Sequence, residues 1–236
     1  MRRKESISAV LPSLNEEENI RDAVLALDRF LKANFSDYEM IAVDDGSIDT
    51  TGQILENLRK SLPFLRVIRH KRNLGYGASL REAFTKATKE YVFFTDSDMQ
   101  FAVREISLLL PLAEKYDIVV GYRHKRCDPF LRIFLSWGYN FLARRVFGLK
   151  IRDIDCAFKL FRRSVFDVIK IKSRNFFAST EIMAKARYYG FTCIEVPVTH
   201  YPRRKGHTTV KPSNIPRTLA EMAKIWKDIH FNRGGK

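Results

Sequence analysis

The chain predicts an α/β fold with a mainly parallel central sheet and helices on both faces. Short apolar runs at 7–11, 38–43, 65–69, 91–94 and 118–120 alternate with amphipathic stretches of helical length. Such alternation marks parallel strands joined by crossover helices. Three runs end in polar clusters, SLNEEE, DDGS and DSDMQ. Open α/β sheets bind ligands beyond the carboxyl ends of their strands, so these clusters are expected together, around one site.

The first strand, 7–11, stops at Pro12. Asn15 is expected to cap a helix over 17–33, with Glu16, Glu17 and Glu18 at its positive end and Ile20, Val24, Leu27 and Leu31 inward. The second strand, 38–43, runs into Asp44-Asp45-Gly46-Ser47, and a helix over 50–61 carries Ile54, Leu55 and Leu58. After the third strand, 65–69, a glycine-bearing loop, NLGYGA, opens a helix to about residue 89. Tyr91, Val92, Phe93 and Phe94 suit a buried fourth strand. Asp96, Asp98 and Gln100 follow at two-residue steps and would project to one side if the extended geometry continues. Carboxylate and amide oxygens suit Mg²⁺ or Mn²⁺. An isolated D-x-D is more often an acidic turn, but three polar strand ends on one edge favour a binding site. A helix over 104–115 and a strand at 118–120 complete this half.

The second half differs. Residues 129–147 form a helix in which Arg132, Ser136, Asn140 and Arg144 make one narrow polar stripe among Phe130, Leu131, Ile133, Phe134, Leu135, Trp137, Phe141, Leu142 and Val146. Surface helices usually show the reverse proportion, so this one suits either burial or a membrane interface. Asp153, Asp155 and Lys159 punctuate a strand-like segment over 151–163. A helix over 179–189 carries Glu181 in its first turn and ends at Gly190; a strand over 192–198 stops at Pro197. A basic loop, 200–214, leads into a final amphipathic helix starting near Pro216. The simplest division is a catalytic domain over 1–200 and a short appendage over 201–236.

Charge is the unusual quantity, at +15 over 236 residues. Residues 122–174 hold 14 basic and 4 acidic side chains, residues 199–217 five basic and none acidic, and the remainder is neutral. Both blocks call for an anionic partner: phosphate, nucleic acid or a membrane surface. Nucleic acid fits poorly, because the blocks lack aromatic stacking motifs and the acidic strand ends would repel phosphate without a metal. Cys127, Cys156 and Cys193 are too few and too scattered for a disulfide framework or metal knuckle, which fits a reducing cytoplasmic setting. No run approaches the roughly 18–20 apolar residues of a membrane span, so membrane contact is expected to be peripheral. The glycines make no Walker A loop, and Leu80 stands where G-x-G-x-x-G needs its last glycine.

The ordered set VLPSLNEEENI, VDDGSIDTT, NLGYGASLREAF, FFTDSDMQF, VVGYR, IRDIDCAFKLFRR and EVPVTHYPRRKGHTT resembles the family 2 inverting glycosyltransferases of GT-A fold. Within them it is most similar to dolichyl- or polyprenyl-phosphate sugar synthases, over about residues 5–230. The resemblance implies a nucleotide-sugar half over 1–123 and an acceptor half over 124–200. It implies that Pro12, Leu14, Asn15 and Glu16 grip the nucleotide, that Asp44 and Asp45 hold base and ribose, and that Gly75 and Ser97 also bind the nucleotide sugar. It implies that Asp96 and Asp98 link a metal to the diphosphate, with Gln100 as a further ligand. Arg123, Arg132 and Ser136 match the region receiving the lipid phosphate, and Arg203, Arg204 and Lys205 a loop closing over the reacting phosphates. GHTT stands where some relatives carry G-x-S-K.

The chemistry agrees with these roles. Glycosyl transfer leaves a nucleoside diphosphate of growing negative charge, which a cation and arginines stabilise. An acceptor phosphate, with a second pKa of about 6, scarcely needs a general base, whereas the alternative acceptor, a saccharide hydroxyl, would. Asp155 is the first candidate for a carboxylate at the reacting centre and Glu181 the second. Asp155 paired with Lys159 or Arg162, and Glu181 merely stabilising a helix start, are the competing structural readings.

Overall fold

A computed structural model describes residues 2–124, 130–203 and 215–231, with backbone alone at 130–132 and 215–217. Seven strands form one sheet in the order β3-β2-β1-β4-β6-β5-β7. These are β1 (Ile7–Ser13), β2 (Tyr38–Asp44), β3 (Leu65–Arg69), β4 (Tyr91–Thr95), β5 (Ile118–His124), β6 (Phe158–Arg162) and β7 (Cys193–Thr199). All neighbours run parallel except β6, which is antiparallel to both β4 and β5. The helices are α1 (Ile20–Asn34), α2 (Thr51–Ser61), α3 (Tyr76–Lys86), α4 (Ile106–Ala113), α5 (Phe130–Phe147), α6 (Val165–Val168), α7 (Ala178–Tyr188) and α8 (Ile215–Phe231).

Strand alternation divides the core into two layers. Val10, Ile41, Val92 and Phe94 point into the layer shared with Leu80 of α3 and Ile182 of α7. Ile7, Leu11, Met40 and Phe93 point into the layer under α1, α2 and α4, with Leu27, Leu55 and Leu109. Every residue of β1 is buried, as a strand covered on both faces requires.

Both prolines expected to stop strands lie inside them. Pro12 pairs with Val43 of β2, but the β4 side of β1 is paired only as far as Val10. The Pro12 carbonyl faces that unpaired side and accepts from Ser97 Oγ at 3.1 Å, so its missing N–H costs no ladder bond. Pro197 lies in β7, an edge strand. The segment 151–163 is strand only from Phe158; before it, Ile154 N donates to Asn140 Oδ1 at 2.9 Å and Arg152 N to Glu195 Oε1 at 2.6 Å.

Helix α1 starts three residues later than expected, with Asn19 rather than Asn15 at its cap position. Asn15 is left-handed, at φ 54°. Its N–H donates to Ser47 Oγ at 2.9 Å, and its Oδ1 accepts from Ile48 N at 3.0 Å. Glu17 accepts from Thr50 N at 3.0 Å, at the start of α2 and not of its own helix. The cluster after β1 is thus fastened to the loop after β2, which fixes two walls of the crevice together.

Glu181 lies away from the crevice. It is fully buried, accepts from Lys172 N at 2.9 Å and Ser173 N at 2.7 Å, and pairs with Lys185. It thereby shapes the 172–174 turn, whose carbonyls at Ser173 and Arg174 pack against Gly77 and Gly75. Replacing Glu181 with Ala strands the Lys185 charge and two N–H groups. We expect a loss of about 3–5 kcal/mol in denaturant unfolding; an unchanged midpoint would contradict the structural role.

Candidate active site

Beyond the carboxyl ends of β1, β2 and β4 lies a crevice of about 310 Å³. Pro12, Leu14 and Glu16 line it from β1, Asp45 from the end of β2, and Asp96, Ser97 and Asp98 from the end of β4. Gly75 and Tyr76 close it from the start of α3, and Arg203 borders it from the segment after β7. The three polar strand ends therefore meet, as their positions predicted. A Cβ at Gly75, where φ is 101°, would stand 2.2 Å from the Arg174 carbonyl, so this corner requires glycine.

The acidic stretch after β4 is not extended. Met99 is left-handed, at φ 61°, and Asp98 Oδ1 accepts from Gln100 N at 3.1 Å. This turn leaves Asp96 and Asp98 on the crevice but rotates Gln100 away. Gln100 is buried, and its amide donates to the Tyr201 carbonyl at 3.1 Å. It anchors the start of the basic segment at the sheet edge, a role its spacing did not suggest.

Asp96 accepts from the Tyr76 hydroxyl at 3.0 Å. Burial, and then the neighbouring Asp98 charge, push its carboxyl up to about 7. Beneath it lies Lys159 of β6, fully buried, with its ammonium donating to the Cys156 carbonyl and lying 5.8 Å from the centre of the Phe94 ring. Burial holds the Lys159 pKa below its usual value, against the opposing pull of Cys156, Asp155, Asp153 and Asp96. On the open side, the Arg203 guanidinium pairs with Glu16 and stands 3.8 Å from Asp98. Glu16 itself is raised by burial, although Asn19 and Arg203 draw it down. Sequence spacing gave no hint of Tyr76 or Lys159 as partners of Asp96; both depend on strand and helix placement.

Asp96 and Asp98 fit a divalent cation that completes its shell from a ligand. Two close carboxylates in a partly dry crevice, one of them held protonatable near neutrality, favour an added positive charge. Mg²⁺-type ions are commonly held by one or two carboxylates plus substrate phosphates. Among the described residues no three His, Cys, Asp or Glu side chains gather as a complete protein-made metal site.

The two aspartates after β2 diverge. Asp44 is fully buried, accepts from Ser47 N at 2.9 Å and lies 3.1 Å from Arg69 Nε, outside the crevice. Asp45 reaches it but is heavily engaged. It accepts from Leu74 N at 2.8 Å and Gly75 N at 2.9 Å, and lies 2.6 Å from His70 Nδ1. The other His70 nitrogen is 2.9 Å from Glu82.

The expected acceptor-side residues are only partly assembled. Arg123 is nearly buried and makes a bidentate pair with Asp153, at 2.7 and 2.6 Å, so its guanidinium braces the 151–157 loop instead of standing open to a phosphate. Asp155 is half-buried, and its charge acts on Tyr76, Tyr139, Arg123 and Lys159. Ser136 accepts from the Asn140 amide at 3.3 Å. The Arg132 side chain and all of Arg204 and Lys205 lie outside the described residues.

His70 supplies a pH test. Burial alone would lower its pKa, but hydrogen bonds to Asp45 and Glu82 win and raise it above 6.5. The protonated ring then contributes stability that is fully present below 6.5 and is lost as pH rises through the raised value. We expect the melting temperature to fall over that window, and His70→Gln to flatten the fall. A parallel pH profile in the variant would count against the link.

Comparison with known proteins follows the same lines. The Glycosyl transferase family 2 model matches residues 8–170. Undecaprenyl-phosphate 4-deoxy-4-formamido-L-arabinose transferase from Pseudomonas fluorescens (strain Pf0-1) is 30% identical over 220 residues, covering 92% of this chain and 63% of that protein. Dodecaprenyl-phosphate galacturonate synthase from Rhizobium johnstonii is 29% identical over 237 residues, covering 96% of this chain and 67% of that protein. The chain thus spans about two thirds of the length of these relatives. Among solved structures, glucosyl-3-phosphoglycerate synthase from Mycobacterium tuberculosis, in complex with Mn²⁺, UDP and glucosyl-3-phosphoglycerate, superposes with a TM-score of 0.71 at 17% identity, covering 95% of this chain and 80% of that one. The sheet is that of the GT-A glycosyltransferases, and the chain belongs to glycosyl transferase family 2.

Proposed function

We propose that this chain transfers a glycosyl group from a nucleoside-diphosphate sugar to a polyprenyl or dolichyl phosphate, with Mg²⁺ or Mn²⁺, at the cytoplasmic face of a membrane. The observation that carries the reading is the crevice in which Asp96 and Asp98 face Arg203 across the carboxyl edge of the sheet. Two relatives that align with nine tenths or more of this chain bear the names of polyprenyl-phosphate sugar transferases, which supports the acceptor. A solved structure of the same fold holds Mn²⁺ and UDP, which supports the cation and the type of donor. Among the described residues no helix is long and apolar enough to cross a membrane, and peripheral contact suits the basic second half.

In this reading the residues up to the end of β4 receive the donor. Asp45 holds the 74–75 backbone in place at the nucleotide end of the crevice. Asp96 and Asp98 would hold the cation, whose positive charge would stabilise the diphosphate. Arg203 exchanges its carboxylate partners for phosphate oxygens, as a guanidinium fork readily does. The acceptor phosphate oxygen forms a bond to the anomeric carbon while the bond from that carbon to the diphosphate oxygen breaks, with inversion. The nucleoside diphosphate leaves with the electron pair. The attacking phosphate is already anionic, so Asp155 is assigned an orienting role and not that of an obligatory base. Arg123 acts indirectly, by fixing Asp153 and the loop that carries Asp155.

The test is transfer of radiolabel from a panel of UDP- and GDP-sugars into extractable lipid, with Mg²⁺ and Mn²⁺ in separate arms. Asp98→Ala should lower turnover by about 100-fold or more while the thermal unfolding of the free protein is retained. A donor present at about 100 times its Kd should stabilise the parent by about 2.7 kcal/mol. No lipid product with any donor, or a fully active Asp98→Ala, would sink this reading.

A further inference from the structure

A second concavity, of about 420 Å³, lies beside the crevice and is lined by Arg72, Asn73, Leu74, Ala78, Arg81 and Arg174. Its three arginines come from three separate segments: the loop after β3, the middle of α3 and the turn before α7. Asn73 is the one lining residue shared with the crevice. Leu74 lines this side and Gly75 the other. The backbone that Asp45 holds at Leu74 N and Gly75 N is therefore part of the wall between the two.

The charge in this concavity is unanswered. All three arginines are exposed, and no acidic side chain lines the site. Among the described residues none of the three guanidiniums makes an ion pair or a hydrogen bond. Arg66, Arg69 and Arg163, by contrast, each meet a carboxylate. No acidic residue occurs from Arg69 to Arg81. The nearest acids are committed elsewhere: Glu82 lies 2.9 Å from His70 Nε2 and Asp45 2.6 Å from His70 Nδ1. Three like charges gathered in one hollow repel one another, and an anion with several oxygens relieves all three at once. The guanidinium fork matches phosphate oxygens in particular.

The lining also narrows the kind of anion. It contains no aromatic side chain. Single-stranded nucleic acid is usually held by stacking of its bases on such rings, and interfacial lipid sites are usually marked by them. A hollow closed by three segments suits a compact ligand better than an extended polymer.

We propose that Arg72, Arg81 and Arg174 form a second anion site, for a small free molecule carrying a diphosphate or a comparable cluster of phosphate groups. The site is separate from the crevice and does not rest on the transfer reaction proposed above. The Arg174 carbonyl accepts from Gly77 N at 2.9 Å, and the two residues after it, Asn175 and Phe176, line the crevice. An anion bridging Arg72 and Arg174 would thus tie together two segments that wall the crevice.

The test is calorimetric titration of inorganic pyrophosphate into the protein, in metal-free buffer at fixed ionic strength. Without a cation the crevice acids repel the probe. A single saturable site is expected, together with a rise in melting temperature. The triple variant Arg72→Gln, Arg81→Gln, Arg174→Gln should bind about tenfold more weakly or worse. Its own melting temperature without pyrophosphate should match that of the parent, since the three side chains are exposed. Arg81→Glu alone, on an exposed helix face, puts a carboxylate into the hollow and should lose binding as well, which keeps the test open if the triple variant folds poorly. Arg203→Gln, which alters the crevice, should bind pyrophosphate like the parent. No saturable binding by the parent would overturn the proposal, as would loss in Arg203→Gln with retention in the triple variant. Displacement of pyrophosphate by an oligonucleotide or by anionic vesicles, sensitive to Arg81→Glu, would reassign the arginines to a polymer or a lipid and overturn the small-ligand site. Pyrophosphate binding by a protein that makes no glycosyl product would uphold the site and count only against the proposed reaction.

Discussion

The structure depends on how it keeps two neighbouring carboxylates, Asp96 and Asp98, at the dry edge of a sheet. Burying such a pair is unfavourable unless positive charge or hydrogen bonds answer it. The fold answers from three directions. Tyr76 donates from the first turn of α3, Lys159 lies fully buried on the adjacent strand, and Arg203 reaches in from the segment after β7. The antiparallel insertion of β6 between β4 and β5 matters here, because it sets Lys159 opposite Phe94, two residues before Asp96. None of these partners fully removes the strain on Asp96, whose carboxyl is still held at about 7. The remaining imbalance favours an added positive charge at this edge.

The other buried carboxylates show how differently the same side chain is used a short distance away. Asp45, Asp153 and Glu181 each receive backbone N–H groups together with a cationic or ionisable partner. They shape the loops at 72–75, 151–157 and 172–174. A carboxylate with several donors and a paired charge is committed to structure. Asp96 and Asp98 differ from Asp153 and Glu181 in lining the open crevice, which separates acids that can face a ligand from bracing ones more clearly than sequence position does.

That distinction also marks how far the sequence could be read. Strand and helix periodicity located the main elements to within a few residues, and the shared edge of β1, β2 and β4 followed from alternation alone. The crevice acids Asp45, Asp96 and Asp98 were visible for that reason. The direction of β6 was not, since a short apolar run carries no sign of its orientation. The left-handed Met99 was not visible either; it turns Gln100 toward Tyr201 and breaks the two-residue periodicity assumed for DSDMQ. Glu181 and Arg123 looked chemical because charge in a motif reads the same whether the partner is a substrate or a turn. Their roles depend on contacts such as Ser173 N and Asp153, which spacing does not encode.

Helix α5 reverses the usual order of inference. Its composition fitted burial or a membrane interface, and the sequence could not choose between them. The deciding fact is which side Asn140 takes. Asn140 spends its carbonyl on Ile154 N, inside the protein, and this turns Phe134, Trp137 and Phe141 outward. Asn140 and the core side chains Ala143 and Phe147 seat the helix from its inner side, while Arg144, of the same polar stripe, stays exposed. In the proposed reaction the nucleotide would enter through a crevice ordered by acids, where Arg203, bound here to Glu16 and 3.8 Å from Asp98, would exchange carboxylate for phosphate.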